Sequence, residues 1–92
     1  MSPSDDTRAV TLRYFAWVRE KIGRAEERVV LPGGLVTVGE LVAWLQNQGP
    51  EYAEAFARAQ VIRVAIDQKH VKPAAAIAGA REIAFFPPVT GG

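Results

Sequence analysis

Apolar and polar residues alternate at both ends of this chain and recur at helical spacing between them. In residues 10–15, Val10, Leu12 and Tyr14 point one way and Thr11, Arg13 and Phe15 the other, the period of a half-buried strand. The period then changes. Val18 and Ile22 stand four apart with Gly23 as a stop, which predicts a short helix or turn over 16–22. Residues 26–31 read as a second strand, with Val29 and Leu31 on one side and Pro32-Gly33-Gly34 ending it. Thr37-Val38-Gly39-Glu40 has the form of a capping box, and Val38, Leu41, Val42 and Leu45 follow at helical spacing. This main helix is expected over 38–48, closed by Gly49 and Pro50. Residues 51–59, with Tyr52 and Phe56 four apart, suggest a second, shorter helix. Residues 61–66 alternate again, with Ile62, Val64 and Ile66 against Arg63 and Ala65. Asp67-Gln68-Lys69-His70 reads as a turn, Val71 as the start of a short strand, 73–79 as a loop and 82–86 as the last strand.

Strands broken by one main helix predict an α+β layer, a mixed sheet with that helix packed across one face. The pattern permits the first and last strands to lie side by side in the middle without requiring it. One sheet face would carry Val10, Leu12, Tyr14, Ile62, Val64, Ile66, Ile83 and Phe85 against the helix. The other would carry Thr11, Arg13, Phe15, Arg63, Ala65, Glu82, Ala84 and Phe86. Phe15 and Phe86 are out of place on a face otherwise suited to solvent, so they mark a candidate contact surface for another protein. Arg13 and His70 are grouped with them as candidates for that docking face.

Composition narrows the function. Ninety-two residues make one domain, and 49% hydrophobic with 23% charged residues is ordinary for a globular protein. A net charge of +1, from 11 Lys+Arg against 10 Asp+Glu, argues against a dedicated nucleic-acid binder. The absence of cysteine removes disulfides, thiolate nucleophiles and cysteine metal sites. No apolar run approaches the ~20 residues of a membrane span. Residues 1–8 are polar and acidic, unlike a secretory signal, and are expected to be a disordered lead on a cytoplasmic protein. The domain is expected over 9–86 and an extended tail over 87–92.

An independent active site is not expected. His70 is the one histidine, so a two-histidine metal site cannot form within the chain. A Ser-His-acid triad would need Ser2 or Ser4 in the lead, or a threonine in place of the serine. The pairs Asp5-Asp6 and Glu26-Glu27 read as solvated, because sequence neighbours face different ways. Gly33-Gly34 lacks the context of a phosphate loop. Arg13, Arg19, Lys69, Lys72 and Arg81 look scattered. The remaining reactive group is the carboxylate that follows Pro87, Pro88, Val89, Thr90, Gly91 and Gly92. The two prolines cannot continue a strand ladder and favour a stiff exit. The two glycines can enter a passage too narrow for side chains. ATP could activate such a carboxylate as an acyl-adenylate, and a sulfur donor could then displace AMP to leave a thiocarboxylate. The plainer alternative is a frayed chain end.

Tyr14-Phe15-Ala16, Val18-Arg19-Glu20, Gly23, Thr37-Val38, Glu40-Leu41 and above all the run Glu82-Ile83-Ala84-Phe85-Phe86-Pro87-Pro88-Val89-Thr90-Gly91-Gly92 carry a resemblance over residues 10–92. The chain resembles the small subunit of molybdopterin synthase (the MoaD family), a ubiquitin-like sulfur carrier. The resemblance implies a β-grasp fold and no permanently bound cofactor. It implies that an adenylyltransferase consumes ATP to adenylate Gly92. A sulfur donor protein then converts Gly92 to a 1-thioglycine, the thiocarboxylate. It also implies that the tail enters the large synthase subunit, within a heterotetramer, and gives its sulfur to cyclic pyranopterin monophosphate. Rival readings are a carrier for thiazole or cysteine biosynthesis, a protein modifier joined through Gly92, or a plain interaction module. The chain departs from the family at Asp67, where Asn is usual, and at Ala78-Gly79-Ala80-Arg81-Glu82, where Asp-Gly-Asp-Glu is favoured. Both are turn sites, so altered turn stability is expected there, not altered chemistry.

Overall fold

The computed structural model describes residues 8–88. Five strands form one sheet: β1 (Arg8–Tyr14), β2 (Glu26–Leu31), β3 (Arg63–Ile66), β4 (Lys69–Val71) and β5 (Glu82–Phe86), in the order β2-β1-β5-β3-β4. β1 and β5 run parallel at the centre, and the other neighbouring pairs are antiparallel. Helices α1 (Ala16–Ile22), α2 (Val38–Gln46) and α3 (Pro50–Ala55) and a 3-10 turn (Ala59–Val61) complete the fold. This is the expected α+β class in its β-grasp form. β1 begins at Arg8, one residue before the boundary drawn from sequence.

α2 forms where the capping box placed it. Thr37 Oγ1 accepts from the Glu40 N–H at 3.2 Å, and Glu40 Oε1 accepts from the N–H groups of Thr37 at 3.3 Å and Val36 at 2.7 Å. The helix buries Val38, Leu41, Val42 and Leu45. Its first N–H groups lack intrahelical acceptors. The Val38 N–H donates to the Ala75 carbonyl at 3.0 Å and the Gly39 N–H to the Pro73 carbonyl at 2.9 Å. The stretch expected to be a weakly patterned loop is therefore the cap of the main helix, and its Ile77 is a core residue, 2% exposed.

α2 ends two residues earlier than expected. The Asn47 and Gln48 amides turn back to the carbonyls of Ala43 at 3.1 Å and Trp44 at 3.0 Å, which satisfies the helix end. Gly49 and Pro50 do not close α2 so much as open α3, as its N-cap and first residue. The second helix expected over 51–59 is split, with α3 stopping at Ala55 and the 3-10 turn following at Ala59.

The core centres on Phe85, stacked on Tyr14 at 5.8 Å and set edge-on to Phe56 at 5.2 Å. Val10, Leu12, Tyr14, Val64, Ile83 and Phe85 are buried as expected. Ile62 and Ile66 are only half-buried, because Ile62 precedes β3 as the cap of the 3-10 turn and Ile66 ends β3 beside a hairpin. Ala65 and Ala84, assigned to the solvent face, are 4% and 5% exposed. They pair directly across β3 and β5, flanked by Arg13 and His70, so larger neighbours shield two small side chains.

Candidate functional site

The site begins at the end of β5, a strand held on both sides. The Phe15 N–H donates to the Phe85 carbonyl at 3.1 Å, and Arg63 of β3 pairs with Phe86. Pro87 follows directly and has no N–H with which to extend the ladder. The root of the tail thus leaves a rigid central strand at a defined place. Pro87 and Pro88 are half-buried. Val89, Thr90, Gly91 and Gly92 lie outside the described residues.

The structure brings Arg13, Phe15, Phe86 and His70 together. Tyr14 pairs with Phe85 in the parallel register, so the next residues, Phe15 and Phe86, fall side by side on the face opposite the core. Their rings stack with centroids 4.6 Å apart and planes 5° from parallel. The Arg13 guanidinium lies 5.4 Å from the Phe15 centroid, and the His70 ring lies 5.7 Å from Phe86. Glu26 at 3.5 Å and Glu82 at 3.4 Å orient Arg13 through half-exposed ion pairs, each worth about 0–1 kcal/mol. Ala65 and Ala84 form a low floor beside the rings, and the patch can take up an apolar partner surface while Arg13 and His70 at its ends meet polar groups.

His70 is not in a turn as expected. The hairpin turn is Asp67-Gln68 alone, with φ of +48° and +74°, the signature of a two-residue primed turn. His70 therefore lies in β4, where pairing with Ala65 places it on the aromatic face.

Glu27 also departs from the sequence reading. It is not solvated: its side chain is 15% exposed and accepts from Tyr14 Oη at 2.7 Å, Tyr52 Oη at 2.6 Å and Arg24 Nη1 at 2.9 Å. Burial first, and the bond to Glu27 second, raise both phenols, Tyr52 to about 12 and Tyr14 above the ordinary phenol range. This carboxylate clasps β1, β2 and α3 together through three donors, which gives it a structural role. Two tyrosines and a glutamate so far apart in sequence gave no periodic signal. Asp5 and Asp6 lie outside the described residues.

Among the described residues no group of three or more His, Asp or Glu side chains could hold a metal ion. No helix there is long and apolar enough to cross a membrane.

The sequence profile of the ThiS family matches residues 12–92. The molybdopterin synthase sulfur carrier subunit of Haemophilus influenzae is 35% identical over 79 residues, spanning 86% of this chain and 94% of that protein. SAMP1, a small archaeal modifier protein of Haloferax volcanii, is 26% identical with a TM-score of 0.68, over 92% of this chain and 100% of its own. The HVO 2177 protein of the same organism shares the fold with a TM-score of 0.73 at 23% identity, over 100% of this chain and 93% of its own. The matched profile, the 35% identical relative and the β-grasp sheet agree with the resemblance carried by the tail motif, and the chain belongs to the ThiS family of ubiquitin-like sulfur carriers.

Proposed function

We propose that the chain is the sulfur-carrying small subunit of a molybdopterin synthase. The Gly92 carboxylate attacks the α-phosphate of ATP on an adenylyltransferase, forming an acyl-adenylate and releasing pyrophosphate. A sulfur nucleophile at the oxidation level of sulfide adds to the acyl carbon and expels AMP. The product is a thiocarboxylate, ionised near neutral pH, with one proton released. Gly91-Gly92 then enters the large subunit, where the sulfur is transferred to cyclic pyranopterin monophosphate toward the dithiolene. Every catalytic group in this scheme belongs to a partner; this chain supplies the acyl carbon and the surface that presents it.

The observation that carries this reading is the place of Phe86-Pro87-Pro88, at the end of a central strand and beside the Phe15–Phe86 patch. A partner gripping the patch necessarily stands next to the tail. The choice of pathway is supported by the name of the Haemophilus influenzae relative. Incubation with adenylyltransferase, ATP and sulfide should shift the mass by the difference between sulfur and oxygen, located at Gly92. Deleting Gly91-Gly92 should abolish transfer and leave the melting curve unchanged; transfer that survives the deletion excludes the mechanism.

A second reading, a protein modifier, is favoured by the likeness to SAMP1. In that case the adenylate would pass to a lysine amine, and base-stable conjugates of higher mass would form in place of the thiocarboxylate.

A further inference from the structure

Beside the root of the tail lies an open groove of about 810 Å³, lined by Arg63, His70, Lys72, Val61, Val71 and Pro88 among others, with no acidic side chain in its wall. Arg63, His70 and Lys72 are exposed. None of them enters an ion pair among the described residues, whereas Arg13, Lys21 and Arg24 do. The register explains the convergence: Arg63 pairs with Phe86, His70 with Ala65, and Lys72 follows β4 directly. The cations Arg63 and Lys72, far apart in sequence, are thus gathered with His70 at one end of the sheet. The net charge is only +1, so this field belongs to the groove and not to general basicity.

We propose that the groove receives an acidic segment of the adenylyltransferase, the first protein to take the tail. The proposal rests on the carrier reading above. On that reading the reacting carbon is that of Gly92, four residues beyond Pro88, a reach of about 13 Å when extended. The accepting protein must come within that distance of Pro88, and Pro88 is part of the groove wall. A surface that close to Pro88 lies within reach of Arg63, His70 and Lys72, which share the groove wall with it. An apolar or cationic surface there would leave these groups desolvated without partners or facing like charge. Carboxylates satisfy them. The aromatic stack then anchors the complex, while the groove steers encounter and fixes orientation. Nucleic acid fits less well, because Phe15 and Phe86 each cover one face of the other, and Arg13 and His70 already contact the two rings.

The test measures thiocarboxylate formed at Gly92 by the cognate adenylyltransferase, with ATP and sulfide, against carrier concentration. Arg63→Glu combined with Lys72→Glu should raise KM by roughly tenfold or more and change kcat by less than about twofold. The wild-type KM should rise with salt, and the variant's should respond far less. Arg28→Glu, on β2 at the far edge of the sheet, should leave KM unchanged, and thermal melts should show both variants folded. A double variant with wild-type KM and salt response overturns the groove proposal while the carrier reading stands. Failure of the wild-type chain to form thiocarboxylate overturns the carrier reading instead. Tight binding of a single-stranded RNA oligonucleotide, lost in the double variant, assigns the groove to nucleic acid and overturns the proposal.

Discussion

The rings of Phe15 and Phe86 lie 4.6 Å apart and within 5° of parallel, on the sheet face opposite the core. Each covers one face of the other, which lets two large aromatics stand half-buried on an otherwise polar surface. Docking would bury what remains. Phe86→Ala should weaken binding to the tail-accepting partner by about 1–3 kcal/mol in calorimetric titration. Because the rings share one stack, Phe15→Ala added to Phe86→Ala should cost less than the two losses combined. Affinities unchanged by either substitution would remove the patch from the interface.

Asp67 joins the two places where the chain departs from its family's usual residues. Its Oδ1 accepts from the N–H groups of Arg81 at 3.1 Å and Glu82 at 3.0 Å, and its own N–H donates to the Glu82 carbonyl at 2.9 Å. The hairpin turn is thereby pinned to the start of β5. Asp67→Asn keeps an acceptor oxygen and tolerates φ of +48°, so it should cost less than about 1 kcal/mol. Asp67→Ala loses both acceptor contacts and should cost about 2 kcal/mol in urea unfolding. Equal stability of the two variants would show that the side chain does not hold the turn.

Ala16 opens α1 with φ of +54°, a left-handed conformation that L-residues adopt at a cost of roughly 1–2 kcal/mol. Ala→Gly inside a helix normally destabilises by about 1 kcal/mol. Here the sign should change: Ala16→Gly is expected to leave stability equal or raise it by up to about 1 kcal/mol. A clear loss in urea unfolding would mean that the Cβ contributes more than the backbone conformation costs.

The elements legible in the sequence were those with a local signal. β1, β2, β5 and α2 each carry their own period or cap, and the outward alternation of Phe15 and Phe86 located the patch before any contact was known. What depended on pairing between distant segments was hidden. Ile77 sits among alanines and glycine, and its burial follows from a bridge between Thr37 and Ala76 that no local pattern encodes. Glu27 looked solvated because its partners, Tyr14 and Tyr52, lie on other elements. Lys72 looked scattered until the register of β3, β4 and β5 set it beside Arg63 and His70 around one groove.

The Glu27 clasp makes stability depend on alkaline pH in a way one substitution can isolate. Tyr52 is raised to about 12 by burial and then by Glu27, and Tyr14 is raised by the same causes in the same order. In the unfolded chain both phenols ionise near 10.0, the ordinary value. Below that pH both states keep their protons and the stabilisation is fully present. As pH rises from about 10 toward 12 the unfolded phenols lose protons that the folded ones retain, so stability falls. Tyr14→Phe deletes one hydrogen bond to a carboxylate and should cost about 1–3 kcal/mol below this range. It also deletes one of the two raised phenols, so its stability should decline less steeply with pH. Urea midpoints for the two proteins should therefore converge as pH approaches 12, with lysine titration common to both and cancelling in the difference. Parallel curves across that window would mean that the Tyr14 hydroxyl is not held by Glu27 in the folded protein.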